Sequence, residues 1–213
     1  MDYVLERLSV AWNEVATIWN DGGWCMPPLA ALALITFALG IHINLRLAGK
    51  RHRDVPEALW KRWIDVPARR EGPIGELLDN VAGAASIKEQ VTAFAEIRTT
   101  ELAPFQRDLK VMKVCVAAAP LLGLLGTVTG MLQTFAALAT GSGGDQTMAL
   151  VAKGISAALI TTETGLVIAI PGIFFRYAIS RRFEEYRAFL AHLETVCTQK
   201  LYRRIRAHAV AAA

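Results

Sequence analysis

The residues of this sequence best suited to chemistry are one carboxylate and six threonines in stretches that are otherwise almost free of charge. Glu163 is the only Asp, Glu, Lys or Arg between residues 154 and 175. A carboxylate in the middle of an apolar helix costs roughly 2.5–3.5 kcal/mol on membrane-insertion scales, and an ion or proton site is its usual explanation. The alternative is a static carboxyl that only forms hydrogen bonds between helices.

The threonines fall in two apolar stretches, as Thr127, Thr129 and Thr134 in the first and Thr161, Thr162 and Thr164 around Glu163. A single threonine in a helix often bonds only to a carbonyl of its own preceding turn. Six hydroxyls on two helices around a lone acid favour a polar conduit instead. The candidate ion-pathway residues are Thr127, Thr162, Glu163, Thr134 and Thr161.

The elements that position these residues are long apolar helices. Apolar residues make up 54% of the 213-residue chain, and its mean hydropathy is +0.34. Asp, Glu, Lys and Arg are absent from residues 22–45 and from residues 114–144. Since a helix needs roughly 20 apolar residues to cross a bilayer, these two stretches and residues 154–175 predict three spans. We expect an all-α integral membrane protein with three transmembrane helices.

The distribution of basic residues predicts the orientation of the spans. Residues 46–113 contain 13 Lys or Arg and residues 176–213 contain 8, whereas residues 1–21 and 141–153 contain one each. Basic residues accumulate on the cytoplasmic side of a membrane. We therefore expect the N-terminus outside and the C-terminus inside. The net charge of +4 is then an orientation signal with some contact to anionic lipid, and no nucleic-acid partner is expected.

The same patterns divide the chain into segments. Residues before the first span and after the third show apolar side chains at three–four spacing, which predicts amphipathic helices. A helical pattern is also expected from about Glu76 to Thr100. The apolar face of the C-terminal helix needs partners, so it implies a bundle or an oligomer. The predicted segments are an outer-face amphipathic helix 1–21, transmembrane helix 22–45, cytoplasmic helical loop 46–110, transmembrane helix 111–140, short periplasmic loop 141–147, transmembrane helix 148–177 and cytoplasmic helical tail 178–213.

Small residues form a stripe on each of the last two spans. Steps of three and four residues pass through Pro120, Gly123, Thr127, Gly130 and Thr134 on one, and through Gly154, Ala158, Thr161, Gly165, Ala169 and Gly172 on the other. Small stripes let helices approach closely in lipid, so we expect a close-packed assembly. The residues assigned to helix packing are Pro120, Gly123, Gly126, Gly130, Gly154, Gly165 and Pro171.

Motifs of soluble enzymes are absent from the sequence. It has no phosphate-binding glycine loop, no nucleophile elbow and no zinc-binding helix signature. Cys25, Cys115 and Cys197 lie too far apart for a metal motif. We expect no catalytic residues, no metal and no cofactor, and therefore no enzyme.

At the last two spans the sequence resembles the MotA/TolQ/ExbB proton-channel family, most closely its ExbB and TolQ members. Ala119-Pro120, Gly123-Leu124, Gly126-Thr127-Val128 and Gly130 are similar to the family's second-span motif. Its third-span motif is matched by Gly154-Ile155, Ala158-Leu159, Thr162, Gly165-Leu166 and Ala169-Ile170-Pro171. Three predicted spans favour an ExbB or TolQ type over a flagellar stator subunit, for which four are expected.

The resemblance implies a function in the bacterial inner membrane. Subunits of this type form a homo-oligomeric ring, taken to be a pentamer, around single-span helices of an ExbD- or TolR-like partner that carries an essential aspartate. Proton flow past that aspartate drives a TonB- or TolA-like protein that reaches the outer membrane. By this analogy Thr127 and Thr162 line the pore.

One position departs from the family pattern. ExbB-type members commonly carry a glutamate where this chain has Ala157, and the acid appears six residues later as Glu163. Six residues turn a helix by about 240° net, so Glu163 lies on a different face. Either the partner supplies the acid, or Glu163 serves from another direction.

Two functions of different class follow. The first is a motor subunit driven by proton flow. One elementary charge that crosses the membrane releases about 2.3 kcal/mol per 100 mV of membrane potential. The second is a structural membrane scaffold that assembles partners and moves no ion. A small-molecule transporter is disfavoured because it usually has more spans or an internal repeat.

Overall fold

The computed structural model describes residues 15–50, 55–84, 86–140 and 144–211, and this part of the chain is helical without a strand. Of the predicted outer-face helix 1–21, residues 15–21 are helical and the remainder lies outside the described residues, as does the Gly141–Gly143 part of the periplasmic loop. The helices are α1 (15–21), α2 (Met26–Gly49), α3 (Glu57–Asp65), α4 (Gly72–Ala82), α5 (Ile87–Ile97), α6 (Ala103–Thr140) and α7 (Asp145–Ala211).

Three helical stretches are long and apolar enough to cross a membrane: Gly23–Gly49, Ile87–Thr140 and Asp145–Ala207. The second includes α5, a π-helical turn at Arg98–Leu102, and α6. Apolar runs of more than about 20 residues, uncharged in the first two and interrupted only by Glu163 in the third, explain why all three qualify. The prediction of an all-α integral membrane protein with three transmembrane helices is confirmed as far as helix content, helix length and apolar composition are concerned.

Helix ends follow from local sequence. A 3-10 turn at Gly23–Cys25 precedes α2, and Gly23 adopts φ 66° there, a conformation that favours glycine. Where the sequence pattern predicts one helix from Glu76 to Thr100, the structure has two. Helix α4 ends beside Gly83, and α5 begins after Ser86, whose Oγ accepts a hydrogen bond of 3.2 Å from the Glu89 amide. This N-cap geometry separates the two helices.

The described residues form two compact units by their contacts. The first unit contains α1, α2 up to Leu39, and the Val111–Arg176 parts of α6 and α7. Its core is built on Met26, Leu29, Ala119 and Ala169, with Leu32, Leu122 and Ile168 packed around them. Most large side chains on the rest of this unit are exposed, for example Leu121, Phe135 and Phe174. An apolar exterior of this kind suits lipid or neighbouring membrane helices.

The second unit contains Gly40–Lys110 and the part of α7 from Tyr177 onward. The apolar stripe of the tail is buried here, and its members are Phe183, Tyr186, Leu190, Leu193, Cys197 and Leu201. Aromatic contacts cover part of it: the Phe105 and Phe183 rings lie 6.1 Å apart, and Trp60 meets Phe189 edge-on at 6.0 Å. The sequence predicts that this stripe packs in a bundle or an oligomer. The structure shows that it packs in a bundle formed by one chain.

Polar contacts reinforce that bundle at the tail. Lys200 Nζ lies 2.6 Å from an Asp65 carboxylate oxygen and donates to the Lys61 carbonyl at 2.9 Å. His192 Nε2 lies 3.1 Å from Glu57 Oε1, and Arg98 pairs with Glu194. Each of these pairs lies at or near the surface, where an ion pair adds little to stability. The buried aromatic and aliphatic side chains therefore stabilise the unit, and the ion pairs fix its register.

Candidate functional site

The candidate site is built on the close approach of α6 and α7 within the first unit. A Cβ atom placed on Gly123 would lie 3.0 Å from the Thr161 carbonyl oxygen. One placed on Gly165 would lie 2.7 Å from the Ala119 carbonyl oxygen, and one on Gly130 would lie 2.6 Å from the Gly154 carbonyl oxygen. Since these neighbours are backbone atoms, a larger residue would have to push the helices apart. The small-residue stripes of the two helices thus face each other.

Thr162 bridges the two helices. Its Oγ1 donates a hydrogen bond of 3.1 Å to the Gly123 carbonyl on α6 and lies 3.3 Å from the Ala158 carbonyl on its own helix. The side chain keeps part of its surface exposed. Because the hydroxyl proton is used within the subunit, the oxygen lone pairs remain available as acceptors.

Thr127 has similar hydrogen bonding without crossing between helices. Its Oγ1 donates to the Leu124 carbonyl at 2.7 Å, and the residue is partly exposed. A hydroxyl whose proton is bound to its own helix can still accept a hydrogen bond from a second molecule. Thr127 and Thr162 are therefore both able to receive a hydrogen bond from a protonated carboxyl or a hydrated proton.

Thr134 and Thr161 are packed inside the α6–α7 interface. Their exposed fractions are 4% and 1%. Thr134 Oγ1 donates to the Gly130 carbonyl at 2.9 Å, and Thr161 Oγ1 lies 3.0 Å from the Ala157 and Ala158 carbonyls. Thr161 also packs directly on Gly126. In this subunit both hydroxyls are satisfied by their own helices, and neither presents a surface to a partner.

Glu163 faces away from this interface. The residue is exposed, and it borders an apolar cavity of about 360 Å³ in the first unit. The cavity is closed by Ile18 and Trp19 of α1 and by Met26 and Ala30 of α2. The structure therefore brings Thr161 and Thr162 together with α6, and it groups Glu163 with the α1 side chains instead. That Glu163 and α1 line one cavity could not be found from the sequence, because nothing in the pattern of α1 indicates which helix it packs against.

The two prolines have different surroundings. Pro120 lies inside α6 and is partly buried, whereas Pro171 lies inside α7 and is exposed. Each proline lacks the amide hydrogen that would bond four residues back. Pro120 therefore contributes to packing within the unit, and Pro171 presents its ring outward.

Sequence reasoning missed Thr36 on α2. Its side chain is fully buried, and among the described residues its Oγ1 has no hydrogen-bond partner. Thr36 Cγ2 lies 3.6 Å from the position of a Cβ on Gly172, and Val116 of α6 borders the same point. The only signal in the sequence is a single hydroxyl in an uncharged span. Thr36 marks the place where α2, α6 and α7 meet.

The polar side chains of the site offer hydrogen-bond donors and acceptors. Among the described residues no three His, Cys, Asp or Glu side chains are grouped to hold a metal ion. The cysteines Cys25, Cys115 and Cys197 are buried free thiols. What the first unit offers is a closely packed helix pair, hydroxyl groups on partly exposed residues such as Thr127 and Thr162, and a separate carboxylate.

Comparison with known proteins places this arrangement in a family. Residues 76–191, more than half of the chain, match the MotA/TolQ/ExbB proton channel family. The putative biopolymer transport protein ExbB-like 1 of Synechocystis sp. is 43% identical over 93 residues, which cover 43% of this chain and 37% of that protein. Residues 76–191, which match the family, contain all the candidate site residues.

Two further relatives carry the names of both family branches. The Tol-Pal system protein TolQ of Haemophilus influenzae is 30% identical over 126 residues, covering 57% of this chain and 54% of that protein. The biopolymer transport protein ExbB of Salmonella typhimurium is 38% identical over 74 residues, covering 35% and 30% respectively. The chain thus spans about a third to a half of the length of the relatives it matches. By its sequence and by its three apolar helices, this multi-pass membrane protein belongs to the MotA/TolQ/ExbB proton channel family.

Proposed function

We propose that this chain is an ExbB/TolQ-like subunit of a motor driven by the proton-motive force in a bacterial inner membrane. The chain has its N-terminus outside and its C-terminus inside, and it assembles as a homo-oligomeric ring, taken to be a pentamer, in contact with membrane lipid. Its partners are an ExbD- or TolR-like single-span protein and a TonB- or TolA-like protein. It has no enzymatic activity and no cofactor of its own.

The observation that carries this proposal is the hydrogen bonding of Thr127 and Thr162. Both hydroxyls donate within the subunit, and both residues keep part of their surface exposed, so we expect their oxygens to accept a hydrogen bond from a protonated carboxyl on a partner helix. Such a carboxyl can load and release a proton while the hydroxyls hold its neutral form. Movement of one proton across 100 mV provides about 2.3 kcal/mol.

The decisive experiment measures proton flux through vesicles that contain the full chain together with its single-span partner. Thr127→Val and Thr162→Val keep the side-chain volume and remove the acceptor oxygen. Each variant is expected to abolish proton uptake driven by an imposed membrane potential. Thr129→Val is the matched control, because the Thr129 hydroxyl bonds to carbonyls of α6 and lies about 200° around the helix from Thr127. Normal flux in both test variants would contradict the proposal.

The burial of Thr134 and Thr161 favours a second candidate, the structural scaffold. Their hydroxyls are satisfied within the subunit and take part in packing alone. A scaffold assembles with its partners but passes no protons, and all threonine variants retain full activity in cells. Glu163→Gln adds a second readout: it is silent if Glu163 only forms hydrogen bonds, and it lowers flux if the carboxyl carries a proton.

A further inference from the structure

A second cavity lies in the other unit, apart from the threonines and Glu163. It is a half-open cavity with a volume of about 440 Å³, lined by the end of α3, by α4, by the start of α5 and by the last part of α7. Cavities of about 300–1,000 Å³ are the size range of small-molecule sites. Its apolar wall is formed by Ile64, Leu78, Val81, Ala84, Cys197 and Leu201.

Gln90 supplies a buried polar group in this wall. Only 4% of the residue is exposed, and among the described residues its Oε1 has no hydrogen-bond partner. A buried amide oxygen without a donor destabilises the folded chain until a donor reaches it. The amide also carries an NH₂ group, so Gln90 can offer an acceptor and a donor side by side to one edge of a ligand.

Positive charge borders the same cavity. Lys200, Arg203 and Arg204 line it on α7, and Asp65 is the one acid among its lining residues. Asp65 already pairs with Lys200 at 2.6 Å. Within the described ranges neither Arg203 nor Arg204 has an ion-pair partner, and both are exposed. Two guanidinium groups are thus available for an anion, and guanidinium binds phosphate through paired hydrogen bonds.

The remaining polar atom of the wall is not charged. Burial raises the pKa of the Cys197 thiol to about 11, and the nearby cations Lys200 and Arg70 oppose this shift only in part. The thiol is therefore neutral at physiological pH and behaves as an apolar wall atom. The cavity combines an apolar interior, one unsatisfied amide and a cationic border.

We propose that this cavity binds a purine nucleotide, with the base in the apolar interior against the Gln90 amide and the phosphates on Arg203 and Arg204. A glutamine amide pairs with the adjacent acceptor and amino group of adenine. Inorganic phosphate would leave the apolar wall and Gln90 without contacts. Arg203 lies about 26 residues beyond Tyr177, or about 39 Å along α7, which is too far for a lipid headgroup at the end of the predicted span.

The test is calorimetric titration of ADP into the purified full chain, with adenosine and pyrophosphate as separate probes. ADP is expected to bind at least tenfold more tightly than either fragment, because only ADP engages both parts of the cavity. Pyrophosphate binding equal to that of ADP shows a simple anion site and overturns the proposal, as does the absence of ADP binding.

Variants separate the two halves of the cavity. Gln90→Leu removes the amide without adding a polar group and should weaken ADP about tenfold while leaving pyrophosphate unchanged. Arg203→Ala should weaken both ADP and pyrophosphate about tenfold. Arg187→Ala is the control, because Arg187 lies on the same helix, pairs with Glu184 and is not part of the cavity. If Gln90→Leu and Arg203→Ala leave the affinity for ADP unchanged, as the Arg187→Ala control should, ADP does not bind at this site. The result does not depend on whether the chain translocates protons.

Discussion

The Thr162 hydroxyl donates a hydrogen bond of 3.1 Å to the Gly123 carbonyl, linking α7 to α6 at a point where a glycine lets the two backbones meet. The preceding residue, Thr161, bonds only to carbonyls of its own helix. Adjacent threonines in one sequence motif therefore have different roles. One joins two helices and stays partly exposed, and the other fills the interface.

This relationship predicts different results for two substitutions at Thr162. Thr162→Ser keeps the hydroxyl and should retain proton flux, whereas Thr162→Val should lose it. Hydrogen bonds between membrane helices average about 0.6 kcal/mol, so the valine variant should lower the free energy of unfolding only slightly. Thermal unfolding in detergent, measured beside flux, distinguishes the two effects. A valine variant that unfolds several degrees earlier and also fails to assemble would indicate a structural role.

The contact of Gly165 with the Ala119 carbonyl predicts that even alanine is too large there. A Cβ at 2.7 Å from a backbone oxygen forces the helices to separate, and overpacking of this kind costs about 1–3 kcal/mol. Gly165→Ala should therefore lower the midpoint of thermal unfolding.

Gly49→Ala is the matched control for that substitution. Among the described residues no atom lies within 4 Å of a methyl group added at Gly49, the last residue of α2, and alanine is favoured over glycine inside a helix by about 1 kcal/mol. The midpoint should stay the same or rise. Equal losses for both variants would show that the α6–α7 contact at Gly165 is not as close as the structure has it.

Much of this fold could be predicted from the sequence, because charge-free runs and helical periodicity are local properties. The three spans follow from long apolar stretches that hold no charged residue or Glu163 alone, and the burial of Phe183, Leu190 and Leu201 follows from their spacing on α7. The break between α4 and α5 was missed because the apolar pattern continues through Gly83, where a cap and not a change of pattern ends the helix.

The site could be predicted only in part. Periodicity places Thr134 and Thr161 on the small faces of their helices, but it does not say which face is covered by the same chain. The structure buries both, and it places Glu163 on the wall of a cavity that Trp19 of α1 also lines, which joins distant parts of the chain. Roles that depend on contacts between helices need three-dimensional information.

The pair of Glu57 and Lys61 predicts an effect of pH on the second unit. The Lys61 side chain, followed by His192, lowers the pKa of the Glu57 carboxyl below its ordinary value of 4.5. A depressed folded-state pKa adds stability that is present above pH 4.5 and is lost as pH falls through the lower folded value. Glu57→Gln should therefore unfold earlier than the unchanged protein at neutral pH, and the difference should shrink below pH 4.5. Thermal unfolding across pH 3–7 checks this, with the exposed Glu76→Gln as control.

Burial of Cys197 predicts a slow reaction with alkylating reagents. Its pKa is raised from 9.0 to about 11 chiefly by burial, so below pH 9 the native thiolate population is about a hundredfold smaller than in the unfolded chain. By the same linkage, this thiol stabilises the fold below pH 9, and its contribution is lost as pH rises towards 11. In a variant with Cys25→Ala and Cys115→Ala, iodoacetamide should modify the native protein at least a hundredfold more slowly than the denatured protein at pH 8. Comparable rates in the two states would mean that the end of α7 separates from the other helices of the second unit often enough to expose the thiol. The bundle would then be open in solution.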